Sequence, residues 1–279
     1  MSYILLDIGA NKTRVTVSED AKTYEEEVVY KTPVSYTDGL KKFEFTLAKL
    51  SSSTTTAVVA GVRGQLDDAK SYLVHDTLLT DWIEKSLALD MQAIAKAPVY
   101  LENNAALAGL GEAVYGAGEG HEVVVYHTIS TGVGGAKIQA GAIDANRGSF
   151  EPGQQILDID HTILGEDIAP TLENLVSASA VTARMGTDPF EIPQSDAIWD
   201  QLAYFLAHGL RNSILYWSPD VIVLGGPMML GDPRISLDAV TAYTNEVVGE
   251  VTEVPLIVDG SFNDDAVYQG CLAYINANL

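Results

Sequence analysis

Three turns of this chain contain glycine, and each follows an apolar, strand-like run. In the first, Asp7–Gly9 followed by Lys12, a carboxylate can hold the water shell of Mg²⁺, glycine lets the backbone approach a phosphate and lysine adds positive charge. The second is Ser130–Gly135, whose hydroxyls and backbone N–H groups have the composition of an anion nest. The third is the pair Gly225–Gly226. Alone, the first is better explained as a hairpin and the third fits a tight strand-to-helix turn, but together the three favour phosphate binding.

The Ser130–Gly135 run matches neither of the two common nucleotide loops. It lacks the Gly-Lys-Ser/Thr ending of a Walker loop, and its glycines do not have the usual spacing of a dinucleotide fingerprint. Glycine spacing alone therefore does not identify the nucleotide.

A second group of residues could bind the hydroxyl groups of a sugar. Asn103 and Asn104 follow the predicted strand Val99–Leu101, and asparagine both donates and accepts hydrogen bonds. An N-cap role for Asn104 explains the local pattern better. Glu151 and Glu173 are further acceptors, although a solvated surface acid is the simpler local explanation for each.

Alternating strands and helices must position these residues. Apolar runs predict strands at Tyr3–Ile8, Thr13–Val17, Glu27–Lys31, Ala57–Val62, Val99–Leu101, Val123–Ile129, Ala136–Gln139, Val221–Leu224 and Leu256–Val258. Helical spacing predicts helices at residues 37–51, Trp82–Ala95, Ala105–Ala113, Thr171–Met185, Asp196–Trp217, Leu237–Val248 and Ala266–Ala277. The alternation predicts an α/β fold with a mostly parallel sheet covered by helices.

The order strand, glycine turn, strand occurs twice, at the start of the chain and again from Val123. Internal duplication is one explanation. Two unrelated β-hairpins, which are common in α/β proteins, are the other. The pattern alone supports the two explanations equally.

Composition excludes several classes of partner. The 279 residues carry a formal net charge of −22, which repels nucleic acid and anionic lipid. A single cysteine, Cys271, allows no intrachain disulfide, and the five histidines show no metal-ligand spacing. The N-terminal residues lack the features of a signal peptide, and no apolar run reaches membrane-spanning length, so we expect a cytoplasmic protein.

Taken together, these segments resemble the ROK family of sugar kinases and sugar-responsive repressors, within the actin/hexokinase/chaperone-ATPase superfamily. The resemblance covers nearly the whole chain. The matching segments are Asp7–Lys12 (family motif DIGGTK), Gly61–Gly64 (GxPG), Trp82, Glu102–Ala105 (ENDA), Ser130–Gly135 (GTGxGG), Glu151–Gln154 (ExGH), Glu173, which resembles the glutamate closing a cysteine-rich element, and Pro219–Gly226.

The resemblance implies a duplicated, ribonuclease-H-like (actin-like ATPase) two-lobed α/β fold with ligands in the interlobe cleft. The first lobe would span residues 1–112 together with the C-terminal helix 263–279, and the second residues 113–262. ATP–Mg²⁺ would contact Asp7 (Mg²⁺ through water), Gly9, Lys12, Thr131, Gly132, Gly134, Gly225 and Gly226. The sugar would contact Gly64, Asn103, Asn104, Glu151, Gln154 and Glu173. A homodimer is also implied.

Several departures from the family pattern make this chain a degenerate member. Active relatives carry a general-base aspartate at the position of Asn104, and an amide cannot replace it in a step that contributes roughly 10²–10⁴-fold. Phosphoryl transfer depends largely on positioning, so residual activity is compatible with this loss. Gln154 replaces a histidine, and residues 160–172 lack the family's cysteines, so we expect no structural zinc. Arg63 replaces the proline of the sugar-side loop, and Asn11 replaces a threonine.

Three functions follow from the resemblance. The first is a hexose (glucokinase-like) kinase that is weak or inactive unless Glu102, Asp158 or Asp160 supplies the base. The second is a non-catalytic sugar or nucleotide sensor. The third, a DNA-binding repressor, is the weakest, because the charge opposes DNA and no helix-turn-helix segment stands ahead of Asp7.

Overall fold

Runs of buried aliphatic residues form the strands of two separate five-stranded sheets in a computed structural model that describes residues 2–50, 54–146 and 148–279. One sheet belongs to unit 1, which comprises Met1–Gly111, Ala145–Ser149 and Asp265–Leu279. The other belongs to unit 2, which comprises Glu112–Asp144 and Phe150–Asp264.

The elements alternate along the chain as an α/β fold requires. The described strands are β1 (Ser2–Ile8), β2 (Lys12–Ser18), β3 (Val28–Lys31), β4 (Thr55–Val62), β5 (Gln65–Leu66), β6 (Leu73–His75), β7 (Val99–Asn103), β8 (Val123–Ile129), β9 (Val133–Gln139), β10 (Ala142–Ile143), β11 (Val221–Gly225) and β12 (Leu256–Asp259). The described α-helices are α1 (Tyr36–Leu50), α2 (Leu87–Ala95), α3 (Asn104–Tyr115), α4 (Leu172–Val176), α5 (Ala178–Met185), α6 (Ile198–Trp217), α7 (Pro227–Leu230), α8 (Leu237–Val248) and α9 (Ala266–Asn278). None of these helices combines the length and apolar composition that a membrane span requires.

The sheet of unit 1 has the order β3-β2-β1-β4-β7. β1 is antiparallel to β2 and parallel to β4, and β4 is parallel to β7. Because side chains alternate between the faces of a strand, Ile4, Leu6 and Ile8 join one core, together with Phe43 of α1 and Met91 of α2. α9 packs against β1 and β4.

The sheet of unit 2 has the order β10-β9-β8-β11-β12, and its antiparallel and parallel pairings follow the same sequence. Its core includes Ile222 and Leu224 of β11 and Leu202, Leu206 and Leu210 of α6. The repeated strand and turn pattern is therefore one sheet topology used twice, and the alternative of two unrelated hairpins is wrong.

Two predicted helices differ from the structure. The helix predicted at Trp82–Ala95 begins only at Leu87, because Trp82 belongs to a short 3₁₀ turn where its Nε1 donates to the Pro33 carbonyl at 3.2 Å. The helix predicted at Thr171–Met185 is two helices, α4 and α5. Ser177 interrupts it with an extended backbone, and its side chain caps α5 by accepting from the Ala180 N–H.

Two further elements begin or end at other residues than predicted. The strand predicted to begin at Ala136 begins at Val133, so the turn after β8 is Ser130–Gly132. The helix predicted at residues 37–51 is α1, and residue 51 lies outside the described residues.

Candidate functional site

One row of residues crosses the sheet of unit 1 near the carboxyl ends of its parallel strands. Asp7 lies opposite Arg14 on one side and beside Gly61 on the other, and Gly61 lies beside Glu102. Cross-strand neighbours share a face of the sheet. A Cβ at Gly61 would lie 3.2 Å from the Asn104 Cα. Because Gly61 has no side chain, Asn104 can pack directly beside this row. The fold thereby brings Asp7 and Asn104 into one part of unit 1.

Asn103, rather than Asn104, caps helix α3. Its Oδ1 accepts from the N–H groups of Ala105 and Ala106 at 2.9 and 3.2 Å, and its Nδ2 donates to the Gly64 carbonyl at 3.0 Å. The N-cap role considered for Asn104 is therefore wrong. In the described part of the chain, no hydrogen bond involves the Asn104 amide, which leaves it available to a ligand.

The turn after Asp7 is held by residues of β2 and by Thr32. The Gly9 N–H donates to the Lys12 carbonyl at 3.0 Å, and the Thr32 hydroxyl donates to the Gly9 carbonyl at 2.9 Å. Lys12, the first residue of β2, is exposed. This geometry fixes the glycine backbone that the sequence predicts to approach a phosphate.

Arg14, which sequence reasoning missed, is the buried cation beside Asp7. Its Nε lies 2.8 Å from Glu27 Oε2, its Nη2 lies 2.7 Å from Asp265 Oδ1, and its guanidinium lies 4.6 Å from the centre of the Tyr268 ring. Burial alone would lower the pKa of Arg14, but these acidic partners raise it, so the residue is permanently charged. No local signal reveals it, because Asp265 lies 251 residues away.

Arg63 is held in place by a buried carboxylate. Its Nε donates to Asp76 Oδ2 at 2.6 Å, and Asp76 Oδ1 accepts from the N–H groups of Leu78 and Leu79, both at 2.6 Å. Gly64 follows with a φ of +88°, and a Cβ there would lie 2.7 Å from the His75 carbonyl oxygen. The loop that contains Arg63 and Gly64 is therefore anchored by an ion pair and a glycine that no larger residue can replace without strain.

The acids considered as alternative bases have different environments. Burial raises the pKa of Glu102, and the Lys70 ammonium that contacts its Oε1 works in the opposite direction. For Asp158, burial opposes ionisation, but N–H groups of Leu164 and two preceding residues bond its carboxylate and hold its pKa below the ordinary value. Asp158 therefore organises a loop and is a weak base. Asp160 is exposed in the same loop.

In unit 2 the second and third glycine turns lie side by side. Gly225 pairs with Thr128 in the sheet. Gly226 has a φ of +84°, and a Cβ there would lie 2.5 Å from the Ile129 carbonyl oxygen and 2.7 Å from Thr128 Oγ1. Both turns therefore form one glycine-lined edge at the carboxyl ends of β8 and β11, where ligands of α/β sheets bind.

The loop Ser130–Gly132 is held against helix α5. The N–H groups of Ala178 and Ser179 donate to the carbonyls of Ser130 and Thr131 at 2.8 and 3.4 Å. Gly134, predicted to lie in the loop, lies within β9 opposite Thr128.

Glu173 lies between Gln154 and the loop Ser130–Gly132. Its Oε2 accepts from the Val133 N–H at 2.8 Å, and its Oε1 accepts from Gln154 Nε2 at 3.3 Å. A Cβ at Gly132 would lie only 2.5 Å from the same Oε2. Glu151 is exposed, and its carbonyl accepts from the Gln154 N–H. The fold therefore gathers Gln154, Glu173 and Gly132 in one place.

Comparisons with known proteins identify the family and the fold. The ROK family model matches residues 3–278. A fructokinase of Streptococcus mutans is 26% identical over 277 residues, covering 92% of this chain and 89% of its own length. A fructokinase of Lactococcus lactis is 28% identical over 218 residues, covering 71% and 74%. The crystal structure of a ROK hexokinase from Thermus thermophilus aligns with a TM-score of 0.80 at 23% identity, covering 99% of each chain. The predicted duplicated, actin-like α/β fold is thus confirmed.

Proposed function

Because this chain belongs to the ROK family, we propose that it is an ATP-dependent sugar kinase whose phosphoryl acceptor is a hexose. The similarity to proteins named fructokinases supports this class of acceptor. The observation that carries the proposal is the row of unit 1, in which Gly61 lies beside Asp7 in the sheet and a Cβ at Gly61 would lie 3.2 Å from the Cα of Asn104. A group that orients a hydroxyl and a group that suits a divalent cation are two of the requirements of phosphoryl transfer.

The glycine-lined edge of unit 2 fits the phosphates of a nucleotide. A Cβ at Gly132 would lie 2.5 Å from Glu173 Oε2, and one at Gly226 would lie 2.5 Å from the Ile129 carbonyl oxygen, so both turns need glycine to pack this closely. The backbone N–H groups of such glycine turns can bind an anion. We propose that Thr131, Gly132, Gly225 and Gly226 hold ATP and that Asp7 holds Mg²⁺ through water. Bound Mg²⁺ would neutralise phosphate charge.

The remaining residues bind and orient the sugar. We propose that Asn103, Asn104, Gln154 and Glu173 bond its hydroxyl groups, with Gly64 shaping the loop. Asn104 can orient the attacking hydroxyl but cannot accept its proton, and Glu102 is engaged by Lys70. The rate is therefore expected to be low, because transfer rests on positioning and charge neutralisation.

Asn104→Asp tests the proposal. The change is nearly isosteric and supplies a carboxylate at the family's catalytic position, so phosphorylation of fructose or glucose should rise by about one to a few powers of ten. A coupled assay of ADP release measures it. Asn278→Asp, at the exposed end of α9, makes the same charge change elsewhere and should leave the rate unaltered. No transfer to any hexose by either protein, with nucleotide bound, would contradict the proposal.

A sugar or nucleotide sensor is the second candidate. It is favoured by the grouping of Arg63, Asn104 and Gln154, three departures from the family pattern on the sugar side. A sensor would bind sugar in calorimetry, and Asn104→Asp would restore no turnover. We further propose that the protein is a cytoplasmic homodimer, and light scattering after gel filtration tests its oligomeric state.

A further inference from the structure

We propose that Glu173 couples the two ligands: its carboxylate occupies the glycine loop, and sugar binding withdraws it and so strengthens nucleotide binding. This inference rests on the proposed function, since it assigns the sugar and the nucleotide to the same site. It deepens that function by stating why the sugar should bind first.

The contacts place a negative charge where a phosphate would meet the backbone. Glu173 Oε2 takes the Val133 N–H at 2.8 Å and lies against Gly132, at 2.5 Å from the position of a hypothetical Cβ. The N–H groups of Thr131 and Gly132 take part in no hydrogen bond within the described ranges. A carboxylate therefore stands at one side of an otherwise available anion nest.

Little in unit 2 offsets this charge. The four basic residues of the unit are engaged elsewhere: Lys137 with Asp144, Arg234 with Asp259, and Arg184 and Arg211 with backbone carbonyls. The partner of Glu173 Oε1 is Gln154, a neutral amide. Like charges at short range repel, and the repulsion is stronger in a partly buried loop than in water.

A sugar can draw the Glu173 carboxylate away from Gly132 because its hydroxyl groups donate hydrogen bonds. A carboxylate accepts these bonds well, so a sugar bound at Gln154 competes with the Val133 N–H for Glu173. Once Glu173 turns to the sugar, the Val133 N–H is released to the loop and the negative charge moves away from Gly132. By linkage, the nucleotide must then strengthen sugar binding by the same factor.

The first experiment needs no sugar. Calorimetric titration of the full chain with Mg²⁺ and a non-hydrolysable ATP analogue should give a dissociation constant about five- to tenfold lower for Glu173→Gln than for wild type. The amide keeps an acceptor for Val133 but loses the charge. Glu166→Gln, an exposed acid of the preceding loop in the same unit, makes the same change in net charge and should have little effect. A merely structural role predicts weaker binding in Glu173→Gln, and weaker or equal affinity would overturn the inference.

The second experiment repeats the titration with saturating fructose and then with saturating glucose. Wild type should bind the analogue about five- to tenfold more tightly with the preferred sugar, and Glu173→Gln should lose most of that gain. Sugar binding that leaves nucleotide affinity unchanged in wild type, or improves it equally in both proteins, would overturn the coupling alone. Nucleotide binding without binding of fructose, glucose or any other hexose would instead overturn the proposed hexose kinase.

Discussion

The two units share a strand order but differ in charge. Unit 1 has 12 basic and 16 acidic residues, a formal net charge of −4, whereas unit 2 has 4 basic and 22 acidic residues, a net charge of −18. The duplicated topology is therefore set by the apolar pattern of the strands, which both units keep. Net charge differs between the two units although the topology is the same.

Both units use the same two kinds of polar support. Unit 1 has the ion pairs of Arg14 with Glu27 and Asp265, and unit 2 has those of Lys137 with Asp144 and Arg234 with Asp259.

Buried carboxylates that accept backbone N–H groups also occur in both units. Asp76 of unit 1 accepts from Leu78 and Leu79, and Glu112 of unit 2, which is 1% exposed, accepts from Ala117, Ser261 and Phe262. The two units therefore differ in net charge and not in the kind of polar support.

The largest effect should come from the glycine edge of unit 2. Gly226→Ala forces a Cβ against the Ile129 carbonyl at a φ of +84°, so the free energy of unfolding should fall by about 3 kcal/mol and nucleotide affinity should collapse. Gly186→Ala is the matched control, because Gly186 has a φ of +70° but open space around it, and should cost about 1 kcal/mol. Urea unfolding measures both. Equal costs would mean that close approach at Gly226 is unimportant.

A buried histidine makes unit 2 sensitive to acid. Burial lowers the pKa of His127 from 6.5 to about 4, so the unfolded state takes up the proton first on acidification. The free energy of unfolding should therefore fall between pH 6.5 and 4, by up to about 3 kcal/mol from this residue. His127→Gln should flatten the dependence over that range, whereas His75→Gln, at an exposed position, should leave it unchanged. Denaturant titrations at several pH values test this, and parallel curves for wild type and His127→Gln would contradict it.

The ion pairs of Arg14 in unit 1 should contribute less to the free energy of unfolding than Gly226 or His127. Arg14 is 3% exposed, but Glu27 and Asp265 are 34% and 48% exposed, so Arg14→Met leaves two acids that water still solvates. We expect a loss of about 2 kcal/mol in unfolding free energy. Lys41→Met removes the exposed pair with Asp38 and should cost at most about 0.5 kcal/mol. Equal losses of unfolding free energy in Arg14→Met and Lys41→Met would mean that the buried ion pairs stabilise the protein no more than an exposed one.

Added salt should stabilise unit 2 more than unit 1, because unit 2 carries the larger net negative charge. Raising KCl from about 0.01 to 1 M shortens the screening length from about 30 to 3 Å and weakens repulsion among acids. Hydrogen exchange followed by mass spectrometry should show protection rising more in peptides of β8 and β11 than in those of β1 and β4, on the order of 1 kcal/mol. Equal increases of protection in both sheets would mean that the difference in net charge does not affect the stability of the two units.

The smallest expected effect is that of a chelator, which should leave the stability of the protein unchanged. Asp158 holds the loop that follows Gln154 through backbone N–H groups, and the cysteines that would bind zinc are absent from residues 160–172. Treatment with a strong chelator should therefore leave the melting temperature unchanged. Stoichiometric zinc in elemental analysis of tag-free protein would contradict this prediction.

Most strands could be predicted because a run of aliphatic residues is a local signal. The predicted Val123–Ile129 matches β8, and the predicted helix Leu237–Val248 matches α8. The helix through Ser177 was wrong because capping competes with helix continuation at a serine, and the sequence does not say which will win.

The candidate site was less predictable, because its polar contacts join distant segments. The motifs located Asn103 and Glu173, but not the bond from Asn103 to Gly64 or that from Glu173 to Val133. Arg14 gave no signal, because a lone arginine in a strand says nothing of a carboxylate 251 residues away. Spacing identifies which residues have the right chemistry, and only the fold shows which of them meet.

The membership of α9 in unit 1 has a consequence for synthesis on the ribosome. Every residue of unit 2 is made before residues 265–279, so unit 2 can complete its sheet and core while unit 1 still lacks its last helix. Until then β1 and β4 lack the helix that packs against them, the bond from the Cys271 thiol to the Val59 carbonyl and the contact of Tyr268 with Arg14. The unit whose synthesis starts first is thus completed last. The sheet surface that α9 will contact is where aggregation would compete with folding during translation.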